Sequence, residues 1–336
     1  MKTKHYLLTA GILALTATSA RANVTIQTVT IGDVGNPNDP STGYGSVGYN
    51  YAIGTYEVTL LQIHGLPERR RGDGHLPLYN PNMGTDLNIA GIARANSPGS
   101  YTYSVIGSGQ RPVTWVSWFD AARFTNWLHN GQLNTGSQTA ATTEDGAYTL
   151  NGTTTGIILQ NAGAQTWIPS EDEWYKAAYY QPLAAGGDVD GYWEYPTASN
   201  SVPGNSIGGA ANEANYRFNG NIYSVTQNGT YNSSQDYLTV GGAYSGSGTY
   251  YGTFDQGGNV WEYNDAVTGG SSRGLRGAGW NNDPSDLQAS NRAHSPDSTA
   301  EFHDVGFRIA TVPEPASTAL VGLGTLLLAA RRRRSA

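Results

Sequence analysis

The chain has 336 residues, of which 13% are charged, 44 are glycine and 22 are tyrosine, and its formal net charge is −7. This composition favours one loop-rich globular domain and argues against a helical bundle or a disordered chain. Cysteine is absent, which excludes disulfides, thiolate metal sites and cysteine nucleophiles.

The charged residues also narrow the class of partner. Beyond the first 22 residues the only lysine is Lys176, and an acidic surface argues against nucleic acid or anionic lipid as a partner. Divalent cations suit such a surface better. The histidines are scattered and none forms a pair with zinc-ligand spacing: His64, His75, His129, His294 and His303.

Both ends of the chain are predicted to be targeting segments. Lys2 and Lys4 precede an apolar run from Tyr6 to Ala17, and small residues follow up to Ala22. This pattern is typical of a secretory signal peptide over residues 1–22, and a buried helix is the alternative.

At the other end, a Pro-Glu-Pro triplet precedes an apolar run over residues 316–330 and then Arg331 to Arg334. The run is short for a stable membrane span, and the arginines favour the cytoplasmic side. Segment 312–336 thus resembles the PEP-CTERM sorting signal. The resemblance implies cleavage by an exosortase at the inner membrane of a Gram-negative bacterium, after transient anchoring there, and release to the cell surface or beyond.

The segment between them, residues 23–311, is predicted to be one domain. It opens with alternating patterns that predict strands over Val24–Ile31 and Tyr51–Thr59. Leu60–His75 then contains a proline, three consecutive arginines and a glycine, and shows no helical face. A solvated loop is the simple interpretation. Because suitable codons for Gly65–His75, read one base later, encode an apolar helix, a compensated frameshift or sequencing error between Leu60 and Leu78 is the alternative hypothesis.

Two helices are predicted further along the chain. Ser117 can cap the first, Asp120 stands at the capping-box position, and an apolar stripe runs to Leu128. Ser170 and Glu173 form a full capping box for the second. Between them, the pair Asn151-Gly152 predicts a hairpin turn, with strands over residues 147–150 and 153–159.

A tight turn, Gly257-Gly258-Asn259, leads into a strand that begins with Val260 and Trp261. Its carbonyls, the Asn259 amide and the Glu262 carboxylate are oxygen ligands of the kind that Ca²⁺ accepts. A glycine turn with a buried tryptophan and a surface glutamate is the alternative interpretation.

The run "GNVWE" in this turn resembles a signature of the formylglycine-generating enzyme (sulfatase-modifying factor) family. Further segments at residues 53–59, 112–121, 169–178, 273–280 and 306–308 resemble that family's motifs in the same order. The resemblance implies an α+β, C-type-lectin-like fold with two main helices, short antiparallel sheets and much irregular loop. It also implies a second calcium site at Asn215, Tyr216, Asp236 and Leu238.

The resemblance does not extend to the catalytic residues of the family's enzymes. Its enzymes oxidise a substrate cysteine with a copper-binding cysteine pair, and the matching window, residues 281–305, contains no cysteine. Copper(I) needs soft thiolate ligands, so neither copper nor the oxidase reaction is expected.

The sequence therefore favours a non-catalytic envelope or matrix protein that binds exopolysaccharide or another envelope protein. The competing interpretation is an oxidoreductase-like enzyme with a cysteine-free metal site. Tryptophan and arginine are good anchors for recognition, and asparagine adapts its hydrogen bonding. On that basis the predicted recognition surface comprises Trp280, Asn281, Asn282, Asn291, Arg292 and His294, although Arg292 is equally suited to a structural ion pair.

Overall fold

The computed structural model describes residues 23–65, 79–89, 91–97, 101–133, 139–219 and 221–313. Within these ranges the helices are α1 (Leu60–Gly65), α2 (Asn82–Thr85), α3 (Trp118–His129) and α4 (Glu171–Tyr179). The strands are β1 (Thr28–Ile31), β2 (Tyr51–Gly54), β3 (Ile92–Ala95), β4 (Thr102–Val105), β5 (Thr166–Trp167), β6 (Arg217–Phe218), β7 (Ile222–Tyr223), β8 (Trp261–Gly269), β9 (Ser272–Arg276), β10 (Ala293–His294), β11 (Val305–Phe307) and β12 (Ala310–Thr311).

The strands form short sheets that bring the two halves of the chain together. One sheet has the order β1-β2-β12-β5, and another has the order β10-β9-β8-β11. Strands β3 and β4 form one hairpin, and β6 and β7 form another. All pairs are antiparallel except β8 with β11, which are parallel. The α+β, C-type-lectin-like fold class is as predicted, whereas nothing in the sequence indicated the parallel pair.

Helices α3 and α4 begin where the capping patterns placed them. Ser117 and Asp120 form a complete capping box at α3, and Ser170 and Glu173 form one at α4. The apolar face of α3 packs into the main core, where the ring of Phe124 lies 5.7 Å from that of Phe307 in β11. The two main helices therefore stabilise the sheet strands that carry the later motifs.

Two local predictions were wrong. The segment after Thr59 was predicted to be a loop, but it begins with helix α1. Thr59 and Gln62 cap this helix reciprocally, and Leu60 and Ile63 are buried. The rest of that segment, residues 66–78, lies outside the described residues, so the frameshift hypothesis stays a hypothesis.

The predicted hairpin at Asn151 is also different. The turn residue has positive φ as expected, but an isolated bridge between Tyr148 and Gln160 replaces the predicted strands.

A partly buried carboxyl group precedes β11. Glu301 accepts a hydrogen bond from the Asn80 side chain. Burial, helped by the charge of Asp120, raises the pKa of Glu301 to about 7. The folded protein therefore binds this proton more tightly than the unfolded chain does. Protonated Glu301 therefore stabilises the folded protein. Its contribution is complete below the pKa of this carboxyl in the unfolded chain and is lost as pH rises through about 7.

We expect Glu301→Gln to flatten the loss of unfolding free energy between about pH 5 and 7, because the amide cannot ionise. Urea denaturation across this range measures the effect. Asp297→Asn is the control, because it should leave the slope between pH 5 and 7 unchanged. Hydrogen bonds donated by Thr299 lower the pKa of Asp297, so its contribution to stability is lost only at pH values below this range. An unchanged pH slope in the Glu301 variant would contradict the assignment.

Candidate functional site

The Asn259 side chain lies in the centre of the domain and is fully enclosed. Its Oδ1 accepts hydrogen bonds from the Asn215 amide and from the Thr239 backbone N–H, both at 3.0 Å. Its Nδ2 donates to Glu57 Oε1 at 3.1 Å. Every polar atom of this predicted calcium ligand is therefore bonded to protein.

Glu262 is equally enclosed and is paired with an arginine. Arg308 donates from Nε and Nη2 to the two carboxylate oxygens at 2.5 and 2.6 Å, and both side chains have 0% exposure. The indole of Trp174 donates to the same carboxylate at 2.7 Å. The alternative of a surface glutamate is therefore wrong.

The residues of the second predicted calcium site also contact protein groups. Arg111 lies 3.2 Å from the Asp236 carboxylate and donates to the Leu238 carbonyl at 2.9 Å. The carbonyl of Tyr216 accepts from the Asn205 amide at 3.3 Å. The side-chain amide of Asn215 donates to the Tyr237 carbonyl at 2.9 Å.

These contacts decide whether the oxygens fit calcium in this arrangement. Calcium needs roughly six to eight oxygens around one point, whereas both carboxylates here bond to guanidinium groups. Gly257 and Gly258 shape the turn; Gly258 has a φ of +81°, and a Cβ there would lie 2.2 Å from the Asn215 carbonyl oxygen. No group of three or more His, Asp or Glu within the described residues is placed to hold a metal ion. The oxygens do not fit a calcium site as they stand, and calcium binding stays a prediction.

The predicted recognition surface is divided among several environments. Trp280 is buried and stacks on Tyr237 at 4.7 Å with an interplanar angle of 6°. Asn281, its neighbour, is half-buried and bonds to His303 at 3.2 Å. Trp280 thus belongs to an aromatic cluster with Tyr237, and Asn281 contacts His303 at the side of that cluster, so the two do not form an exposed anchor.

The other four residues of the predicted recognition surface have different surroundings. Asn282 and Asn291 both donate to Asp286, at 3.2 and 3.1 Å. Arg292 makes two 2.7 Å hydrogen bonds to Glu171, which is the structural ion pair considered as its alternative role. His294 is exposed on β10. The six residues therefore do not form one continuous surface.

Sequence reasoning missed a histidine that lies beside two tryptophans of the aromatic cluster. The ring of His303 lies 6.3 Å from that of Trp115 and 6.0 Å from that of Trp280. Among the described residues neither of these buried indole N–H groups has a hydrogen-bond partner, and Trp115 has a φ of +56°. Positive φ in a bulky residue is uncommon, and no sequence pattern reports it.

A cavity of about 480 Å³ opens beside α4, between the loop of residues 188–200 and the segment of residues 288–290. Aromatic rings and carboxylates line it, and no lysine or arginine of the described residues does. The lining residues are Asp39, Ser41, Asp188, Asp190, Tyr192, Trp193, Glu194, Tyr195, Asn200, Gln288, Ala289 and Ser290.

Hydrogen bonds fix the aromatic wall of the cavity. The Trp193 indole donates to Gln181 Oε1 at 2.9 Å. The Tyr192 hydroxyl donates to the Pro37 carbonyl at 2.8 Å and accepts from Asn36. The Glu194 carbonyl accepts from the Ala289 N–H at 2.9 Å, which joins the two walls. The cavity is therefore held in shape by the fold.

The charge of the cavity follows from its carboxylates. Although burial opposes its charge, hydrogen bonds from Ser41 and Tyr175 lower the pKa of Asp39. Asp188 accepts a hydrogen bond from the Asn200 amide at 3.0 Å. Carboxylate and amide oxygens accept hydrogen bonds from hydroxyl or ammonium groups, and aromatic faces pack against C–H surfaces. This arrangement suits a neutral or cationic ligand with many hydroxyl groups.

Comparisons with known families match nearly the whole chain. A family model described as "Sulfatase-modifying factor enzyme 1-like domain" matches residues 37–312. The PEP-CTERM protein-sorting motif matches residues 311–334, which marks an exported protein processed by an exosortase at the membrane. Within the described residues, no helix has the length and apolar character needed to cross a membrane.

Comparison with solved structures gave matches at low identity. CarF is 18% identical, with 87% of this chain and 100% of that chain covered and a TM-score of 0.49. Treponema denticola variable protein 1 is 18% identical, with 85% of this chain and 95% of that chain covered and a TM-score of 0.46. PvdO from Pseudomonas aeruginosa is 14% identical, with 88% of this chain and 100% of that chain covered and a TM-score of 0.43. No curated protein matched the chain.

Proposed function

Because the chain belongs to the sulfatase-modifying factor family, we propose that it is an exported, non-catalytic member that binds a carbohydrate in the cavity beside α4. The ligand class is a neutral or amino-sugar-containing exopolysaccharide. The absence of cysteine from the chain removes the thiolate ligands that copper chemistry needs, and supports a binding role.

The observation that carries the proposal is the lining of the cavity. Trp193 offers a half-buried ring, and the surrounding Asp188, Asp190 and Glu194 offer acceptors for sugar hydroxyls. The lining contains four carboxylates and, in the part of the chain that the structure describes, no basic side chain, so an acidic polysaccharide would be repelled.

We expect Trp193→Ala to weaken polysaccharide binding roughly thirtyfold, the usual effect of removing a tryptophan that anchors an interface. Retention on immobilised neutral and amino-sugar polysaccharides, followed by a titration, measures it. Leu183→Ala is the matched control, since this exposed side chain lies in the preceding loop and not in the cavity lining.

Three outcomes would contradict the proposal. A polyuronate that binds better than a neutral polysaccharide would contradict the ligand class. Equal binding by wild type and Trp193→Ala would contradict the site. Stoichiometric iron or copper in the purified protein, together with oxidation of a peptide cysteine, would favour the cysteine-free enzyme instead.

A further inference from the structure

The last strand of the domain ends at the sorting motif without a linker. Strand β12 lies between β2 and β5 and pairs with both. Beyond it, the Val312 N–H donates to the Gln165 carbonyl at 3.1 Å, and the Thr311 hydroxyl donates to the same oxygen at 2.6 Å. The next residue, Pro313, is the first residue of the Pro-Glu-Pro triplet. The hydrogen-bonded part of the domain therefore extends to the residue before the triplet.

Strand β12 is also fixed in its sheet by burial. Ala310 and the preceding Ile309 are buried, and Ala310 pairs with Ile53 on one side and Trp167 on the other. Withdrawing this strand would leave buried backbone groups without partners, at a cost of roughly 1–3 kcal/mol for each group. The strand therefore stays in the sheet and does not lengthen the connection to the sorting segment.

The connection to the apolar run is short. Only residues 313–315 separate Val312 from the run at residues 316–330. Three residues span at most about 10 Å, even when fully extended. The headgroup layer on each side of a bilayer is roughly 5–7 Å thick. While the apolar run is in the membrane, Val312 is therefore held within a few ångströms of the headgroups.

The end of the sheet around Val312 carries exposed side chains that suit this position. Antiparallel pairing places Thr311 opposite Ala52, so the chain just before β2 lies at the same end of the sheet. Tyr49 in that chain is 53% exposed, Val312 is 45% exposed, and Gln165 is exposed as well. Tyrosine is enriched at the level of lipid headgroups, because its ring is apolar and its hydroxyl is polar. Tyr49, Gln165 and Val312 together form what we call the Val312 end of the sheet.

We infer that the Val312 end of the sheet is held against lipid headgroups while the sorting segment is anchored in the membrane, and that exosortase cleavage frees it. The orientation follows from the position of β12 and from the length of the connection. It does not depend on the proposed carbohydrate site, because Tyr49, Gln165 and Val312 do not line the cavity.

The test uses the exported chain with its sorting segment, reconstituted into vesicles of phosphatidylethanolamine and phosphatidylglycerol. Because the chain has no cysteine, Gln165→Cys provides a single site for a fluorophore. The bonds to Thr311 and Val312 come from the Gln165 backbone, so the substitution keeps them. Lipids that carry a quencher on the headgroup should remove most of the fluorescence at this position.

Two control variants decide the outcome. Val240→Cys places the same fluorophore on an exposed residue whose neighbour, Gly241, packs on Tyr56 beyond the other end of β2, and its fluorescence should be retained. A flexible linker of about twenty residues after Pro313, with a mean reach of about 25 Å, should restore the fluorescence of the Gln165→Cys label. Vesicle flotation confirms that the sorting segment is inserted in every variant. Equal quenching at the two positions, no quenching of the Gln165→Cys label, or quenching that persists with the linker would overturn the inference.

Discussion

Arg308→Met is expected to lower the free energy of unfolding by about 3–5 kcal/mol, because it leaves the enclosed Glu262 carboxylate without a counter-charge. The substitution also leaves the Gly54 and Phe254 carbonyls without the hydrogen bonds from the guanidinium. Urea denaturation of wild type and variant measures the loss.

A double-mutant cycle separates the ion pair from side-chain packing. Adding Glu262→Gln removes the uncompensated charge, so the double variant should be less destabilised than the sum of the single variants. Arg217→Met, which removes a solvent-exposed pair, should cost at most about 1 kcal/mol. Additive losses at Arg308 and Glu262 would show that the pair is not coupled.

Trp280→Ala should also be costly, lowering the free energy of unfolding by about 3–5 kcal/mol. The side chain is 3% exposed and stacks on Tyr237, so its removal leaves a cavity in the aromatic cluster. Trp280→Phe should cost less, since it keeps a ring in that stack. Thermal or urea denaturation measures both variants.

This result would distinguish a core residue from a recognition residue. If Trp280 were the anchor of an exposed surface, its truncation would leave stability nearly unchanged and weaken ligand binding. A stable Trp280→Ala variant with lost polysaccharide binding would therefore contradict the placement of the site in the cavity.

Local patterns in the sequence were enough to predict much of the fold. Capping residues three positions apart, such as Ser170 and Glu173, fix a helix start because the bonds they make are local. The ordered motifs up to "GFR" predicted the family, which the match over residues 37–312 confirmed. The Thr59 and Gln62 cap was missed because the charged segment after it dominated the interpretation.

Contacts between distant parts of the chain could not be predicted in the same way. Arg111 and Leu238 are 127 residues apart, and nothing near either one indicates the other. The sequence suggested Asn259 and Glu262 as calcium ligands, but their hydrogen-bond partners Glu57, Thr239 and Arg308 come from distant parts of the chain. The cavity was missed for the same reason, because a loop and a segment far apart in the chain form its two walls.

Hydrogen–deuterium exchange of the exported protein, with and without a neutral exopolysaccharide, tests the central claim most directly. Binding in the cavity predicts slower amide exchange over residues 188–195 and 288–290, with no change around Asn281 and His303. Protection confined to the Asn281 and His303 region, or no protection anywhere, would contradict it.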